Sequence, residues 1–120
     1  MNDPRTVLVV PTGTANLASV RAAFERLGAT VAMATRPVQI EDAERVVLPG
    51  VGAFGAAMER LREGGFDMVL AERIAAGHAT LAVCVGLQLL FEASEESPEV
   101  RGLGVLPGTI TRLPDTVRVP

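Results

Sequence analysis

The one cysteine of this 120-residue chain, Cys84, lies in the stretch AVCVG (82–86), where a strand-like apolar run meets a helix-like one. Ala82 and Gly86, two residues before and after the thiol, have the small side chains that a sharp strand-to-helix turn needs to present a nucleophile. A helix that begins directly behind the sulfur aims backbone N–H groups at a developing oxyanion. The alternative is a small buried apolar residue, as most lone cysteines of α/β cores are.

The elements that must position Cys84 alternate between short apolar runs and longer helical patterns. Predicted strands cover 6–11, 29–35, 45–50 and 79–84. Predicted helices cover 15–28, a short segment after Pro37, 53–76 with a break at 63–66, and 86–94. Nearly continuous apolar strands between helices predict a doubly wound α/β domain, with a mostly parallel sheet covered on both faces.

The carboxyl ends of parallel strands gather the functional loops, which here are 11–16, 49–55 and 84–86. Gly50, Gly52 and Gly55 nearly match the G-x-G-x-x-G pattern of a dinucleotide site. Such a site follows the first strand, however, and needs an acidic residue after the second, where this chain has ATRP. The glycine pattern is therefore weak evidence for a dinucleotide site. We predict no cofactor, and we also predict no metal.

Composition excludes several classes of protein. The net charge of -3 and scattered basic residues give no surface for nucleic acid. Apolar runs stay shorter than the roughly 18 residues that span a bilayer, and one cysteine cannot form an internal disulfide. A cytoplasmic protein is expected. The stretch 104–120 reads as extended segments between proline turns and stops without a closing element. We expect residues 1–120 to be the N-terminal part of one longer domain.

Three segments in this order resemble the class I, triad-type glutamine amidotransferases: VLPGVGAFGAAMERLRE (47–63), VCVGLQLLFEASEE (83–96) and VRGLGVLPGTITRLP (100–114). Together with GTANLASVRAAFERLGA (13–29), they are most similar to the glutaminase subunits of imidazole glycerol phosphate synthase. The resemblance implies hydrolysis of L-glutamine to glutamate and ammonia. It also implies a heterodimer with a cyclase (β/α barrel) subunit, which uses the ammonia in histidine biosynthesis.

The resemblance also implies roles for individual residues. Cys84 would attack the glutamine amide and form a thioester. The backbone N–H groups of Val85 and of Val51 or Gly52 would form an oxyanion hole. Gly50, Gln88 and Glu96 would bind glutamine. Asn16 would face the partner subunit. Without the family, the same residues read as tight-turn glycines, solvated polar side chains and, for Asn16, a helix N-cap.

The general base of the reaction is missing from this stretch. The family triad is Cys, His and Glu, with the last two on a later loop. The single histidine, His78, lies six residues before Cys84, roughly 20 Å along a strand. It cannot be the base and is expected on the surface. Departures from the family pattern are Ala82 in place of glycine and Pro11, Thr12 and Ala15 in the first loop.

Two other classes of function stay open from the residues. One is a different cysteine hydrolase with a similar nucleophile turn, which would need its own acid or histidine nearby. The other is a catalytically incomplete fragment or inactive homologue that serves as a binding module, because a thiol without a base cannot turn over glutamine at a useful rate.

Overall fold

The computed structural model describes residues 3–13 and 16–119. Its strands are β1 (Thr6–Val9), β2 (Thr30–Met33), β3 (Val46–Leu48), β4 (Thr80–Ala82), β5 (Ala93–Ser94) and β6 (Thr109–Ile110). Its helices are α1 (Leu17–Arg26), α2 (Pro37–Asp42), α3 (Phe54–Glu63), α4 (Phe66–Ala75) and α5 (Val85–Gln88). The four longer strands and the split of the third helical region therefore confirm the sequence pattern. Predicted position 15 of the first helix lies outside the described residues.

The main sheet has the order β2-β1-β3-β4, and all neighbouring strands are parallel. From β1 the chain adds β2 on one side and then crosses to add β3 on the other. The carboxyl ends of β1 and β3 therefore flank a topological switch point, which is where open α/β sheets bind their ligands.

Helices cover both faces of this sheet, which confirms the doubly wound class. On one face, Val20 and Phe24 of α1 pack against a small apolar cluster from β1, β2 and β3. This cluster consists of Val7, Val9, Val31 and Val47. The helices α2, α3 and α4 build the main core on the opposite face. Its largest fully buried side chains include Ile40, Leu48, Phe54, Met58, Leu61 and Leu70.

The outer edge of β4 is open. Leu81 pairs with Val47 in the register of β3 and β4, so both side chains point to the face that α1 partly covers. Leu81 is 52% exposed, and an apolar cleft of about 400 Å³ lies between it, Val47 and Phe24. Within residues 3–13 and 16–119, β4 pairs with β3 alone.

The predicted helix over 86–94 is wrong beyond Gln88. Residues 102–106 run beside 89–92 and donate hydrogen bonds to the carbonyl groups that a longer helix would use. Leu103 N–H donates to Leu89 O at 2.8 Å, and Gly102 N–H donates to Glu92 O at 2.9 Å. The chain then forms the short parallel pair β5 and β6. Periodicity cannot reveal this ending because the competing donors come from a distant segment.

A buried arginine joins the elements at the amino end of the sheet. Arg73 of α4 is 4% exposed, and its guanidinium donates to the carbonyl oxygens of Ile40, Ala43, Glu44 and Ala79 at 2.6–3.0 Å. Burial lowers the pKa of the Arg73 guanidinium because desolvation penalises its charge. The oxygens that surround it offset this cost by accepting hydrogen bonds from the cation.

Candidate active site

Cys84 lies in a strained turn between β4 and α5. Its backbone has φ 58° and ψ -124°, and it is the only non-glycine residue with positive φ in the described chain. Such a conformation costs on the order of 1–3 kcal/mol and persists only where the surroundings enforce it. The thiol is free and exposed. The buried, apolar alternative for this cysteine is therefore wrong, and the sharp strand-to-helix turn is present.

Gly86 explains how the turn fits against its neighbours. A Cβ atom at position 86 would lie 2.0 Å from Leu48 O and 2.8 Å from Leu48 C, so only glycine allows this approach. The turn is fastened at the same place because Val83 N–H donates to Leu48 O at 3.0 Å. The end of β3 thus sets the position of Cys84.

The loop 49–53 lies directly beside Cys84 and is held at its start. The buried Thr12 hydroxyl donates to Pro49 O at 3.0 Å, and Val85 N–H donates to Gly50 O at 3.1 Å. Gly50 is buried against Gly86, whereas Val51 and Gly52 are exposed, and Gly52 has φ 86°. The Val85 N–H is thus engaged in this conformation, and its role in an oxyanion hole requires the bond to Gly50 to open. That role stays a prediction.

Gln88 and Glu96 line one cleft of about 470 Å³, although they are eight residues apart and on different segments. The cleft also contains Ser94, Glu95 and Arg112. Sequence reasoning missed Arg112. Its backbone N–H donates to Glu95 Oε2 at 3.1 Å, and its guanidinium lies 3.6 Å from Asp115. The cleft therefore combines acidic groups with one cation.

A profile of the CobB/CobQ-like glutamine amidotransferase domain matches residues 12–117, which is nearly the whole chain. The chain belongs to the glutamine amidotransferase family. The match includes the Cys84 turn, the loop 49–53 and the cleft with Glu96. These are the regions in which the sequence pattern predicted the functional residues.

Curated relatives of this amidotransferase chain carry the name imidazole glycerol phosphate synthase subunit HisH. The relative from Moorella thermoacetica is 43% identical over 116 residues, which cover 97% of this chain and 55% of the relative. The relative from Methanopyrus kandleri is 45% identical over 114 residues, which cover 95% and 56%. The chain thus spans about half the length of the curated relatives it matches.

A solved structure titled "Crystal structure of glutamine amidotransferase" has the same fold. It superposes with a TM-score of 0.70 at 24% identity, covering 88% of this chain and 56% of that one. The agreement supports the α/β fold of this chain. At this identity it says nothing about substrate.

Four other residues of this amidotransferase chain have defined structural positions. Asn16 caps α1, its side-chain oxygen accepting from Ser19 N–H at 3.4 Å, and it is exposed. His78 is exposed in the turn before β4, as predicted, at the strand end opposite to Cys84. The half-buried Ala82 packs its methyl group against the main core. Pro11 lies in the loop after β1, while Ala15 lies outside the described residues.

The described residues contain neither a metal-binding cluster nor a membrane-spanning helix. No cluster of three or more His, Cys, Asp or Glu side chains in residues 3–13 and 16–119 has a geometry that could hold a metal ion. In the same ranges, no helix is long and apolar enough to cross a bilayer.

Proposed function

We propose that this chain is the nucleophile-bearing part of a glutaminase subunit of imidazole glycerol phosphate synthase, with Cys84 as its nucleophile. The observation that carries the proposal is the exposed Cys84 thiol, held at φ 58° beside a glycine-rich loop. Enzymes keep a strained residue where its geometry serves the reaction. The family match and the HisH relatives supply the reaction class.

In the proposed reaction, the base takes the thiol proton of Cys84, and Sγ forms a bond to the side-chain amide carbon of glutamine. The amide oxygen becomes an oxyanion, which N–H groups of Val85 and of Val51 or Gly52 would stabilise once the Gly50 carbonyl has moved away. The C–N bond then breaks and ammonia leaves with a proton from the base. Water cleaves the thioester, which releases glutamate and restores the thiol.

The cleft lined by Gln88 and Glu96 carries charges opposite to those on the rest of the substrate. Glutamine carries an ammonium and a carboxylate on its α-carbon, and the cleft has the Glu96 carboxylate and the Arg112 guanidinium on its walls. Opposite charges attract at such sites and orient the amide toward the nucleophile. Gln88, on α5 directly after Cys84, also lines this cleft and would contact the substrate between them.

Turnover by the 120-residue chain alone is expected to be negligible. His78 lies at the far end of β4, and the proton acceptor is expected from the part of the protein that the relatives have beyond their matched half. Glutamate release by the chain should equal that of a Cys84→Ala control in a coupled glutamate assay. Release clearly above this control would contradict the assignment of the base.

Glutamine binding can be tested without turnover, because the single cysteine makes every alkylation event report on Cys84. L-Glutamine should slow iodoacetamide labelling, read as an intact-mass increase, about tenfold at ten times its Kd. Protection should be lost in Glu96→Gln and retained in the matched Glu99→Gln, whose side chain is exposed outside the cleft. Equal labelling with and without glutamine favours the non-catalytic binding module.

The proposed partner is a cyclase subunit, because the relatives are named as a subunit of imidazole glycerol phosphate synthase. For a chain extended to their full length, we expect weak glutaminase activity alone and stimulation by the cyclase subunit. Steady-state glutamate production with and without cyclase measures this effect. Equal activity in both cases would point to another amidotransferase or cysteine hydrolase.

A further inference from the structure

The helix α3, which follows the loop 49–53, begins without a cap of its own. Its N-cap residue is Ala53, whose side chain cannot accept a hydrogen bond. The first N–H groups of a helix have no partner within the helix and must find one elsewhere. Here they find it 42 residues along the chain: Gly55 N–H donates to Ser97 Oγ at 3.1 Å, and Phe54 N–H to Glu96 Oε2 at 3.4 Å.

The contact between Ser97 and Gly55 is close and enclosed. Ser97 is 9% exposed, and a Cβ atom on residue 55 would lie 2.8 Å from its hydroxyl oxygen. The serine backbone is fixed on both sides, since its N–H donates to Ser94 O at 3.1 Å and its carbonyl accepts from Val100 N–H at 3.0 Å. The hydroxyl that meets α3 therefore has a defined position.

The two ends of the loop 49–53 are thus held by different parts of the protein. Thr12 holds the start at Pro49 through its buried hydroxyl. Ser97 holds the far end through Gly55, and the exposed residues 51–53 lie between these two fixed points. A peptide N–H that must meet an oxyanion needs such fixed ends, because a displacement of about an ångström weakens catalysis strongly.

We infer that Ser97 is a positioning residue that fixes the loop 49–53 beside Cys84 by capping α3 with its buried hydroxyl. This inference rests on the proposed function, because it assigns the fixed loop a role in the attack on glutamine. Ser97 directly follows Glu96, so the segment that is proposed to bind glutamine also sets the end of the loop.

The test labels Cys84 with a chloromethyl ketone analogue of glutamine at alkaline pH, where thiols ionise without help from a base. The sulfur attacks the CH₂ carbon, a C–S bond forms and chloride leaves. In Ser97→Ala, the maximal labelling rate should fall about tenfold, a part of the loss known for deleting an oxyanion donor. The half-saturating concentration and the rate with iodoacetamide should stay unchanged.

Three further variants make the result specific. Ser97→Thr keeps the hydroxyl and should restore the rate, and Ser19→Ala, on the exposed start of α1, should label like the natural chain. Gly55→Ala breaks the same contact from the other side and should give the same defect if Ser97→Ala fails to fold. The two alanine changes combined should lose no more than either alone.

Other labelling results would contradict either the role of Ser97 or the proposed function. If the natural chain shows saturable labelling and Ser97→Ala labels at the same maximal rate, the role of Ser97 is wrong while glutamine binding stands. If the natural chain shows no saturation and glutamine gives no protection, the proposed function fails and this inference fails with it. A changed half-saturating concentration with an unchanged maximal rate would make Ser97 part of substrate binding instead.

Discussion

Replacing Gly86 by alanine is expected to lower the free energy of unfolding by at least about 3 kcal/mol, the upper range for overpacking. The added Cβ would lie 2.0 Å from Leu48 O, an approach that no rotamer change can relieve because both atoms belong to the main chain or are fixed to it. The end of β3 and the Cys84 turn would have to separate. Urea unfolding of the chain measures the loss.

Gly77→Ala is the matched control for this change. Gly77 has φ 81°, and nothing lies within 4 Å of the place that an alanine methyl group would occupy, so alanine there meets backbone strain but no overlap. Its expected cost is about 1 kcal/mol. A Gly86→Ala chain that is as stable as Gly77→Ala would contradict the close approach of the turn to β3. A chain without a cooperative transition in urea would be the extreme form of the expected result.

Replacing Arg73 by methionine is expected to cost at least about 3 kcal/mol, since several buried acceptors lose their donor at once. The carbonyl groups of Ile40, Ala43, Glu44 and Ala79 come from segments around α2, β3 and β4. Methionine fills much of the same volume, so the loss reports on hydrogen bonding rather than on a cavity. The free energy of unfolding in urea is again the measurement.

Two further variants test the role of Arg73. Arg73→Lys keeps a charge but has one ammonium instead of a planar fork of five donors, and should recover only a small part of the loss. Arg26→Met removes an exposed arginine from the last turn of α1 and should change stability by less than about 0.5 kcal/mol. Equal stability of the Arg73→Met and Arg26→Met chains would rule out the buried hydrogen-bond cluster.

Arg73 and Gly86 act at opposite ends of β4, and they stabilise different parts of the fold. Arg73 ties α4 to the segments that enter β3 and β4, so it keeps the amino ends of the strands in register. Gly86 lets the carboxyl end of β3 approach the nucleophile turn. A substitution at Gly86 should therefore reduce the preference of Cys84 for the chloromethyl ketone analogue of glutamine over iodoacetamide, even in molecules that stay folded. A substitution at Arg73 should lower labelling by that analogue only through unfolding.

Features that depend on neighbouring residues could be predicted from the amino-acid sequence. Runs such as 6–11 and 45–50 are apolar and β-branched over too short a length for helices, and the break at 63–66 carries two glycines, so the strands and the split between α3 and α4 followed from local pattern. The turn at Cys84 followed in the same way, because its small neighbours Ala82 and Gly86 are close in sequence. Family resemblance then supplied the predicted roles of Gln88 and Glu96, which periodicity alone leaves as solvated side chains.

Features whose partners are far apart in the chain could not be predicted from local pattern and were found in the folded structure. The helix after Cys84 stops at Gln88 because residues 102–106 bind the carbonyl groups that would continue it. Ser97 caps α3 across 42 residues, and Arg73 is buried because three carbonyl groups 29–33 residues away, together with that of Ala79, accept hydrogen bonds from its guanidinium. In each case a backbone N–H or carbonyl group could form its hydrogen bond with a local or with a remote partner. The remote bond forms where folding brings that partner close and excludes water, and the distance between the two groups cannot be read from the sequence.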